Sequence, residues 1–277
     1  MAKSVSSFQK ILLKLRSYAH DSRLCYNLVW MGFRVCNPDL ATSSIKWWRE
    51  NHKRHAGRRG FVIGNGPSLK IADLDRLRGE VCIASNKIYL AYPQTEWRPD
   101  YLTCSDKIVW EKIQPDLPGR VPQIFFLSTM DPSRASVPGV VFRHRGSFRA
   151  DRQGFSLDSA EGQYGGRTVT YHNLQMAVHL GLNPIYLIGC DHYYQGEAGT
   201  DQRGVEVEHK GASNHFVPNY RQPGEKVNNA PIEEMTAAYE HAARVCAERG
   251  IAVYNATRGG HLEAFPRCAF DEVVPII

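Results

Sequence analysis

The sequence predicts an α/β protein of the Rossmann-like kind, with a mainly parallel sheet covered by helices on both faces. Seven short apolar runs, each ending at small or polar residues, are too continuous to leave one face wet, which is typical of buried parallel strands. Helical patterns alternate with these runs, and such alternation indicates a doubly wound sheet. The 277 residues, 43% of them hydrophobic, suffice for a domain with a sizeable core.

The seven runs read FVIG, EVCIAS, DYLTCS, QIFFLS, VVFR, PIYLIG and IAVYNA. Helical patterns occupy residues 171–181 and 231–250, and the second has a proline in its first turn and stops at Gly250. Residues 195–230 lack any sustained periodicity, and a segment of this length without structure is usually either a functional lid or disordered. The aromatic residues and histidine of this segment favour a lid that covers a site. We therefore predict a catalytic domain at 59–277 in which 195–230 form a lid.

Residues 1–58 are predicted to be a basic helical extension. Phe8, Ile11, Leu12 and Leu15 follow one another at helical spacing, and a polar helix, IKWWRENHKRHAGRRG, is expected to end near Gly57 or Gly60. Residues 1–60 contain 12 Lys/Arg and 3 Asp/Glu, whereas the rest of the chain contains 22 and 25.

This charge suits either a solvated extension or an anionic membrane surface, and the indole rings of Trp47 and Trp48 favour the membrane. We expect a cytoplasmic protein that contacts the inner membrane face peripherally through residues 1–58, with no nucleic-acid partner. Charged residues interrupt the first apolar segment, so no signal peptide is predicted, and no run approaches the ~20 apolar residues of a spanning helix.

The seven cysteines are odd in number and never form a C-x-x-C pair. Several of them lie inside apolar strand-like runs. Buried free thiols in a reducing compartment are the simplest interpretation, and no metal site is predicted from them.

Polar residues follow several of the predicted strands. They are Asn65 to Ser68, Asn86, Ser105 with Asp106, and Asp191 through Tyr194. Ligands of open α/β sheets bind beyond the carboxyl ends of the strands, so these residues are the first candidates for a binding crevice.

The stretch GNGPS, residues 64–68, matches neither of the two common phosphate-binding motifs. It has no Walker lysine, and Leu69 stands where the third glycine of G-x-G-x-x-G would be. By spacing alone it is either a turn or a ligand loop. Its two glycines allow a close backbone approach, and we expect their amides to be free to meet anionic oxygens.

Six sequence blocks carry a resemblance to known proteins, and they occur along the chain in this order: VIGNGPSL, IASNKIYLAY, RPDYLTCSD, AVHLGLNPIYLIGCDHYY, NHFVPNY and YNATRGGHLEAFPR. In these blocks the chain resembles the 6-hydroxymethylpterin pyrophosphokinase-like (MptE-like) family of bacterial and archaeal proteins. More distantly it resembles the bacterial sialyltransferases with a variant GT-A fold. The likeness covers roughly residues 60–272.

The resemblance to the sialyltransferases implies that Asn65 and Asn86 hold the cytidine nucleotide of a donor. It also implies that Tyr193 contacts the donor phosphate and that Asp191 organises the end of its strand. Thr168 precedes a helix, where it either caps the helix or touches the donor. The predicted nucleotide-binding residues are Gly64, Asn65, Gly66, Pro67, Ser68, Asn86, Thr168 and Tyr193.

The catalytic histidine of the sialyltransferases falls at Asn219 in this chain, and a neutral amide cannot accept a proton from an attacking hydroxyl. Either His215 is the base or the reaction differs. His215, Asp191 and Asp106 are the predicted catalytic residues.

Three functions follow from these residues and resemblances. The leading prediction is a glycosyltransferase that uses a nucleotide-activated, CMP-type sugar on a carbohydrate or lipid-linked acceptor in surface polysaccharide or glycolipid biosynthesis, with no cofactor required. The first alternative is diphosphate transfer from ATP to a pterin alcohol, which needs Mg²⁺, with Asp106 and Asp191 as carboxylate candidates. The D-x-D at 73–75 is interpreted as surface charge. The second alternative is a non-catalytic nucleotide-binding or scaffold protein.

Overall fold

The computed structural model describes residues 23–117, 119–120, 123–127, 139–147, 154–195, 206–208, 213–228 and 230–275. The predicted helix around Phe8 to Leu15 and most of the predicted lid before residue 213 lie outside these ranges.

Within the described residues seven strands form one sheet. They are β1 (Gly60–Ile63), β2 (Val81–Ser85), β3 (Tyr101–Cys104), β4 (Ile124–Leu127), β5 (Val140–Phe142), β8 (Ile185–Ile188) and β11 (Val253–Asn255). Their order in the sheet is β11-β8-β1-β2-β3-β4-β5, and every neighbouring pair is parallel. Each of the seven apolar runs of the sequence supplies one of them. The predicted parallel α/β sheet is therefore confirmed.

The helices are α1 (Arg23–Cys36), α2 (Pro38–Glu50), α3 (Ile71–Asp75), α4 (Lys107–Ile113), α5 (Val169–His179), α6 (Ile232–Glu248) and α7 (Phe270–Val273). A 3-10 helix at Ile88–Gln94 follows β2. Helices α5 and α6 cover one face of the sheet, while α3, α4 and α7 cover the other. Both faces are thus buried, as the continuous apolar strands require.

Two short two-stranded sheets were missed by the sequence pattern. β6 (His144–Ser147) pairs with β7 (Gln163–Gly165), and β9 (Glu206–Glu208) pairs with β10 (Lys226–Asn228). The second pair lies inside the segment predicted to be irregular. Its strands have three residues each, too few for an alternating pattern to stand out.

The second helix of the N-terminal extension corrects one interpretation of the sequence. It ends at Glu50 rather than near Gly57, and its Trp48 is buried against the sheet. The indole Nε1 of Trp48 donates to the carbonyl of Val141 at 2.9 Å, and the Trp47 ring lies 5.0 Å from that of Phe125. The two tryptophans therefore pack on the domain, and they provide no evidence for a membrane surface.

Candidate active site

The sheet reverses its strand order between β1 and β8. From β1 the chain builds outward through β2, β3, β4 and β5, and β8 and β11 are then added on the other side of β1. Ligands of open α/β sheets bind at such a switch point, beyond the carboxyl ends of the two strands. Residues 64–69 follow β1 and residues 189–193 follow β8, so the two most specific blocks of the sequence meet here.

The two loops at the switch point are joined to each other by hydrogen bonds. The amide of Gly64 donates to the carbonyl of Ile188 at 2.8 Å, and that of Gly66 donates to the carbonyl of Gly189 at 2.9 Å. A Cβ on Gly66 would lie 1.9 Å from Oδ2 of Asp191, and one on Gly64 would lie 2.2 Å from the carbonyl oxygen of Gly189. The glycines therefore allow the close approach of the β8 loop.

The carboxylate of Asp191 completes this junction. Its Oδ1 accepts from the amide of Ser68 at 3.1 Å and its Oδ2 accepts from the Ser68 hydroxyl at 2.8 Å. Its backbone carbonyl accepts from the amide of His261 at 2.7 Å, which ties the segment after β11 to the same point. Burial raises the pKa of Asp191, although the hydrogen bonds from Ser68 oppose that rise.

These contacts correct the expectation that the loop amides face an anionic ligand. The amides of Gly64, Gly66 and Ser68 all donate within the junction, and that of Leu69 donates to the carbonyl of Gly66. A carboxylate beside them would also repel a phosphate. The loop holds the switch point together, and it does not present a phosphate cradle at these four amides.

Asn65 and Asn86 carry unpaired polar atoms at these strand ends. Asn65 donates through Nδ2 to the carbonyl of Ser85 at 3.1 Å, which fixes the orientation of its amide and leaves Oδ1 as an acceptor. The Oδ1 atoms of Asn65 and Asn86 are both buried and have no hydrogen-bond partner among the described residues. Buried polar atoms are rarely left unpaired in folded proteins. Two such acceptors lie at the ends of the adjoining strands β1 and β2, where open α/β sheets bind their ligands.

The backbone of Asn86 is itself unusual, with φ at 53°. Asparagine tolerates this left-handed conformation better than most residues, and strained backbone persists mainly at functional sites. The Asn86 amide donates to the carbonyl of Thr103 at the end of β3, at 2.9 Å. The Thr103 hydroxyl hydrogen-bonds Oδ1 of Asn173, a fully buried residue of α5 whose Nδ2 has no partner among the described residues. Asn173 was missed because its place inside a helix gave no sign that it faces a strand end.

His192 belongs to the polar segment predicted after β8, where the sequence assigned it no role of its own. It lies directly after Asp191, is buried, and has φ at 54°. The Thr236 hydroxyl donates to the carbonyl of Ile232 at 2.9 Å, so its oxygen accepts from Nε2 of His192 at 2.7 Å. That hydrogen bond places the proton of the neutral ring on Nε2.

The other ring nitrogen of His192, Nδ1, then carries a lone pair. It is buried, with no hydrogen-bond partner in the described part of the chain. Burial lowers the pKa of His192, and the electrostatic influence of the nearby His261 lowers it further. The lowered pKa favours the neutral ring, in which Nδ1 is the basic nitrogen.

The described end of the predicted lid lies over the ends of β1 and β2. The amide of Phe216 donates to the carbonyl of Asn65 at 3.1 Å, and Nζ of Lys87 donates to the carbonyl of Tyr220 at 2.8 Å. The ring of His215 stacks on that of Tyr220, 3.8 Å apart. His215 therefore lies in this cover, but its ring packs on the cover itself.

Glu225 holds the same segment in place. Its Oε1 lies 2.8 Å from Nζ of Lys112 and 3.4 Å from Nζ of Lys87. Burial alone would raise the pKa of Glu225, but its hydrogen bonds and the two lysine charges lower it to about 2. The ion pairs fasten residues 213–228 to the 3-10 helix after β2 and to α4.

Asp106 caps α4. Its Oδ1 accepts from the amides of Ile108 at 2.7 Å and Val109 at 3.2 Å, and its Oδ2 accepts from Nδ2 of Asn228 at 2.8 Å. Both carboxylate oxygens are thus engaged by the protein. Asp106 therefore has a structural role as a helix cap, and no contact in the structure supports its predicted catalytic role.

Thr168 and Tyr193 are the remaining two residues predicted to bind the nucleotide. Thr168 is the N-cap of α5 and accepts from the amide of Thr170. The neighbouring Arg167 donates to Glu234 at 2.6 Å, so its charge is already paired. Tyr193 is exposed, and its ring lies 5.0 Å from that of His261 at the rim.

The D-x-D motif at 73–75 is corrected in part. It lies in helix α3 as the sequence indicated, but Asp73 is buried rather than on the surface. Asp73 forms an ion pair with Arg258, which therefore fastens the segment after β11 to α3. Arg258 also contacts Asp271 of α7.

One group of possible metal donors lies away from this site among the described residues. Donor atoms of His52, Asp158 and His179 lie within 4.8 Å of one another. The Nδ1 of His179 already accepts from the amide of Ser159 at 3.1 Å, and its Nε2 hydrogen-bonds the carbonyl of Trp48. The buried nitrogen is thus satisfied, and we assign no metal to this group.

All seven cysteines are free, and five of them are buried, as predicted. In the described ranges, no helix is long and apolar enough to cross a membrane.

The model of the family described as "6-hydroxymethylpterin diphosphokinase MptE-like" matches residues 41–197. The match begins within α2, not near residue 60 as the resemblance suggested. No curated protein matches.

Two solved structures were found. One is the MAf glycosyltransferase from Magnetospirillum magneticum AMB-1, at 19% identity and a TM-score of 0.46, covering 83% of this chain and 38% of the other. The second is a variant of D-threo-3-hydroxyaspartate dehydratase, at 14% identity and a TM-score of 0.24, covering 81% of this chain and 54% of the other. No activity is carried over from likenesses this weak.

The coarser part of the functional prediction, a transferase, agrees with the family description, because a diphosphokinase transfers a diphosphoryl group. The matched segment covers more than half of the chain, which is enough to assign the chain to the family. The chain belongs to the 6-hydroxymethylpterin diphosphokinase MptE-like family.

Proposed function

We propose that this protein is a transferase that binds a nucleotide-activated donor at the switch point and releases a nucleoside monophosphate. The observation that carries the proposal is the pair of buried, unpartnered Oδ1 atoms on Asn65 and Asn86. Both are acceptors, so they match ligand groups that donate, such as ribose hydroxyls or the exocyclic amino group of a base. A nucleoside supplies both.

The donor we favour is a CMP-linked sugar. A CMP-linked sugar brings only one phosphate, so its site does not need several unpaired cations to neutralise it. The cations described near the strand ends are paired with carboxylates of the protein. Lys87 is paired with Glu225, Arg167 with Glu234 and Arg258 with Asp73. The acceptor in this proposal is a hydroxyl of a carbohydrate or lipid-linked glycan.

The proton acceptor in this proposal is His192. A hydroxyl of the acceptor attacks the anomeric carbon of the sugar, the bond from that carbon to the CMP phosphate oxygen breaks, and CMP leaves with its electron pair. The hydroxyl proton passes to Nδ1 of His192. A neutral imidazole whose tautomer is fixed by Thr236 suits this role, because a general base works best when its lone pair is free at the operating pH. His215 and the rings around it cover the donor.

The family description supports a second candidate, in which a pterin hydroxyl attacks the β-phosphorus of ATP and AMP leaves. That reaction uses Mg²⁺ to neutralise the polyphosphate. Asp191 and Asp106 are the carboxylates at hand, but both oxygens of each accept hydrogen bonds from the protein, and burial raises the pKa of Asp191. The residues present therefore do not fit a prepared Mg²⁺ site, and no step of our proposal passes through one.

Calorimetric titration of the purified protein with CMP and with ATP, each with and without Mg²⁺, separates the two reactions. We expect 1:1 binding of CMP that EDTA does not weaken. ATP binding that requires Mg²⁺, with no binding of CMP, would establish the second candidate. If neither nucleotide binds, both transferase proposals fail and a scaffold role remains.

A further inference from the structure

The first described helix, α1, presents an apolar stripe to the solvent. Four large hydrophobic side chains are exposed among the described residues, and three of them, Leu24, Met31 and Val35, are on this helix at 67%, 59% and 72% exposure. Their spacing of seven and four residues places them within a narrow sector of one helical face. The fourth, Tyr193, is at the rim of the candidate active site.

The stripe is held in a fixed orientation, because the opposite face of α1 is packed. Trp30 and Phe33 are buried in the core, and their rings stack 5.6 Å apart. The Tyr26 ring lies 4.8 Å from that of His144, and its hydroxyl lies 3.3 Å from the Ser147 hydroxyl on β6. An isolated exposed apolar side chain needs no explanation, but three in a row on a fixed helix indicate a contact surface.

The charge of the neighbouring segment distinguishes between kinds of partner. Residues 1–60 contain 12 Lys/Arg and only 3 Asp/Glu, whereas the remainder contains 22 and 25. In the structure, Arg23 and Arg34 on α1 and Lys46 and Arg49 on α2 are exposed. Basic residues around an apolar stripe match an anionic lipid surface, since lipid headgroups meet the charges while the stripe enters the acyl boundary.

We propose that α1 is a membrane-docking helix, whose stripe of Leu24, Met31 and Val35 inserts into the interface of an anionic bilayer. This proposal is independent of the reaction at the switch point. Trp47 and Trp48 do not belong to this surface, because their rings pack against the sheet. A nucleic-acid partner would use the basic residues but not the apolar stripe, and a second copy of the chain would use the stripe but not require anionic lipid.

The test is co-sedimentation of the full chain with sucrose-loaded vesicles. Vesicles of phosphatidylcholine with 30% phosphatidylglycerol are compared with vesicles of phosphatidylcholine alone. We expect the bound fraction to be at least tenfold larger on the anionic vesicles, and to fall in 0.5 M NaCl. A triple variant, L24Q/M31Q/V35Q, retains every charge and the helix-forming backbone, and we expect it to lose most of the binding.

Tyr193→Gln is the matched control, because it removes the fourth exposed hydrophobic side chain and leaves α1 intact. Circular dichroism melting verifies that each variant is folded. Equal binding of the triple variant and the unaltered protein would overturn the proposal, as would the absence of any preference for anionic vesicles. If light scattering shows a dimer that the triple variant loses, and vesicles do not bind, the stripe is a protein interface and the proposal is wrong.

Discussion

The carboxylate of Asp191 accepts two hydrogen bonds from one residue, Ser68, through its amide and its hydroxyl. This pairing joins the loop after β1 to the loop after β8 at the point where the sheet reverses its order. Gly66 lies directly beneath it, and a Cβ at that position would overlap Oδ2 of Asp191. The junction therefore depends on the Asp191 carboxylate, on Ser68 and on the lack of a side chain at Gly66.

Gly66→Ala should destabilise the protein through this overlap. We expect a loss of about 1–3 kcal/mol in the free energy of unfolding, the usual cost of overpacking. Gly79→Ala is the control, because its Cβ meets open space and only its positive φ is disfavoured, at about 1 kcal/mol. Urea titration of both variants measures the difference, and a Gly66→Ala variant as stable as Gly79→Ala would contradict the described junction.

Removal of the Asn86 side chain should weaken nucleotide binding. Asn86→Gly deletes the buried amide without a backbone penalty, because glycine adopts the left-handed conformation freely. We expect CMP affinity to fall about tenfold, since a buried donor on the ligand would lose its acceptor, at about 1–3 kcal/mol. Asn219→Gly, an exposed asparagine in the cover, should leave affinity unchanged. Calorimetry with equal affinities for the two variants would exclude Asn86 from the site.

His192→Gln should abolish turnover while CMP still binds. A glutamine amide reaches the position of Nε2 and can keep the Thr236 contact, but it offers no basic nitrogen. We expect the rate of CMP release from a CMP-sugar to fall by roughly 10²–10⁴-fold. Because burial lowers the pKa of His192, the rate of the unaltered protein should be flat near pH 7 and fall as the pH drops below that lowered pKa. His215→Gln should keep this acid limb, and a reversed pattern would make His215 the base.

Substitutions of Asp106 distinguish a helix-capping role of its carboxylate from a catalytic role. Asp106→Ala removes the N-cap of α4 and should cost about 0.5–2 kcal/mol of stability, whereas Asp106→Asn retains a good cap and should cost much less. Neither change should reduce CMP binding. If Asp106→Asn is fully stable but inactive, the carboxylate has a chemical role beyond the cap, and thermal melting beside the CMP-release assay decides the question.

The sheet could be predicted from the sequence because its strands are buried on both faces and therefore read as continuous apolar runs. The positions of Asn65, Asn86, Asp191 and Tyr193 at the strand ends followed from the same pattern. The partners of these residues did not follow, because Ser68 and Asp191 are 123 residues apart and only the packing of the two loops brings them together.

Other features depended on tertiary contacts that leave no local pattern. The tautomer of His192 depends on its hydrogen bond with Thr236 of α6. The sequence predicted the position of this helix along the chain, but not which of its residues face His192. Trp48 resembles an interfacial tryptophan in sequence, and its burial depends on the strand it covers. The three-residue strands of β9 and β10 are too short to show a period.

The contact between Gly66 and the β8 loop also affects how relatives of this chain should be compared. The glycines are required by the loop after a neighbouring strand, so the packing of the sheet is sufficient reason for them whatever the substrate. The glycines alone therefore do not identify the reaction. Divergence in substrate should appear first at positions that the junction does not constrain, such as His192 and the exposed rim around Tyr193.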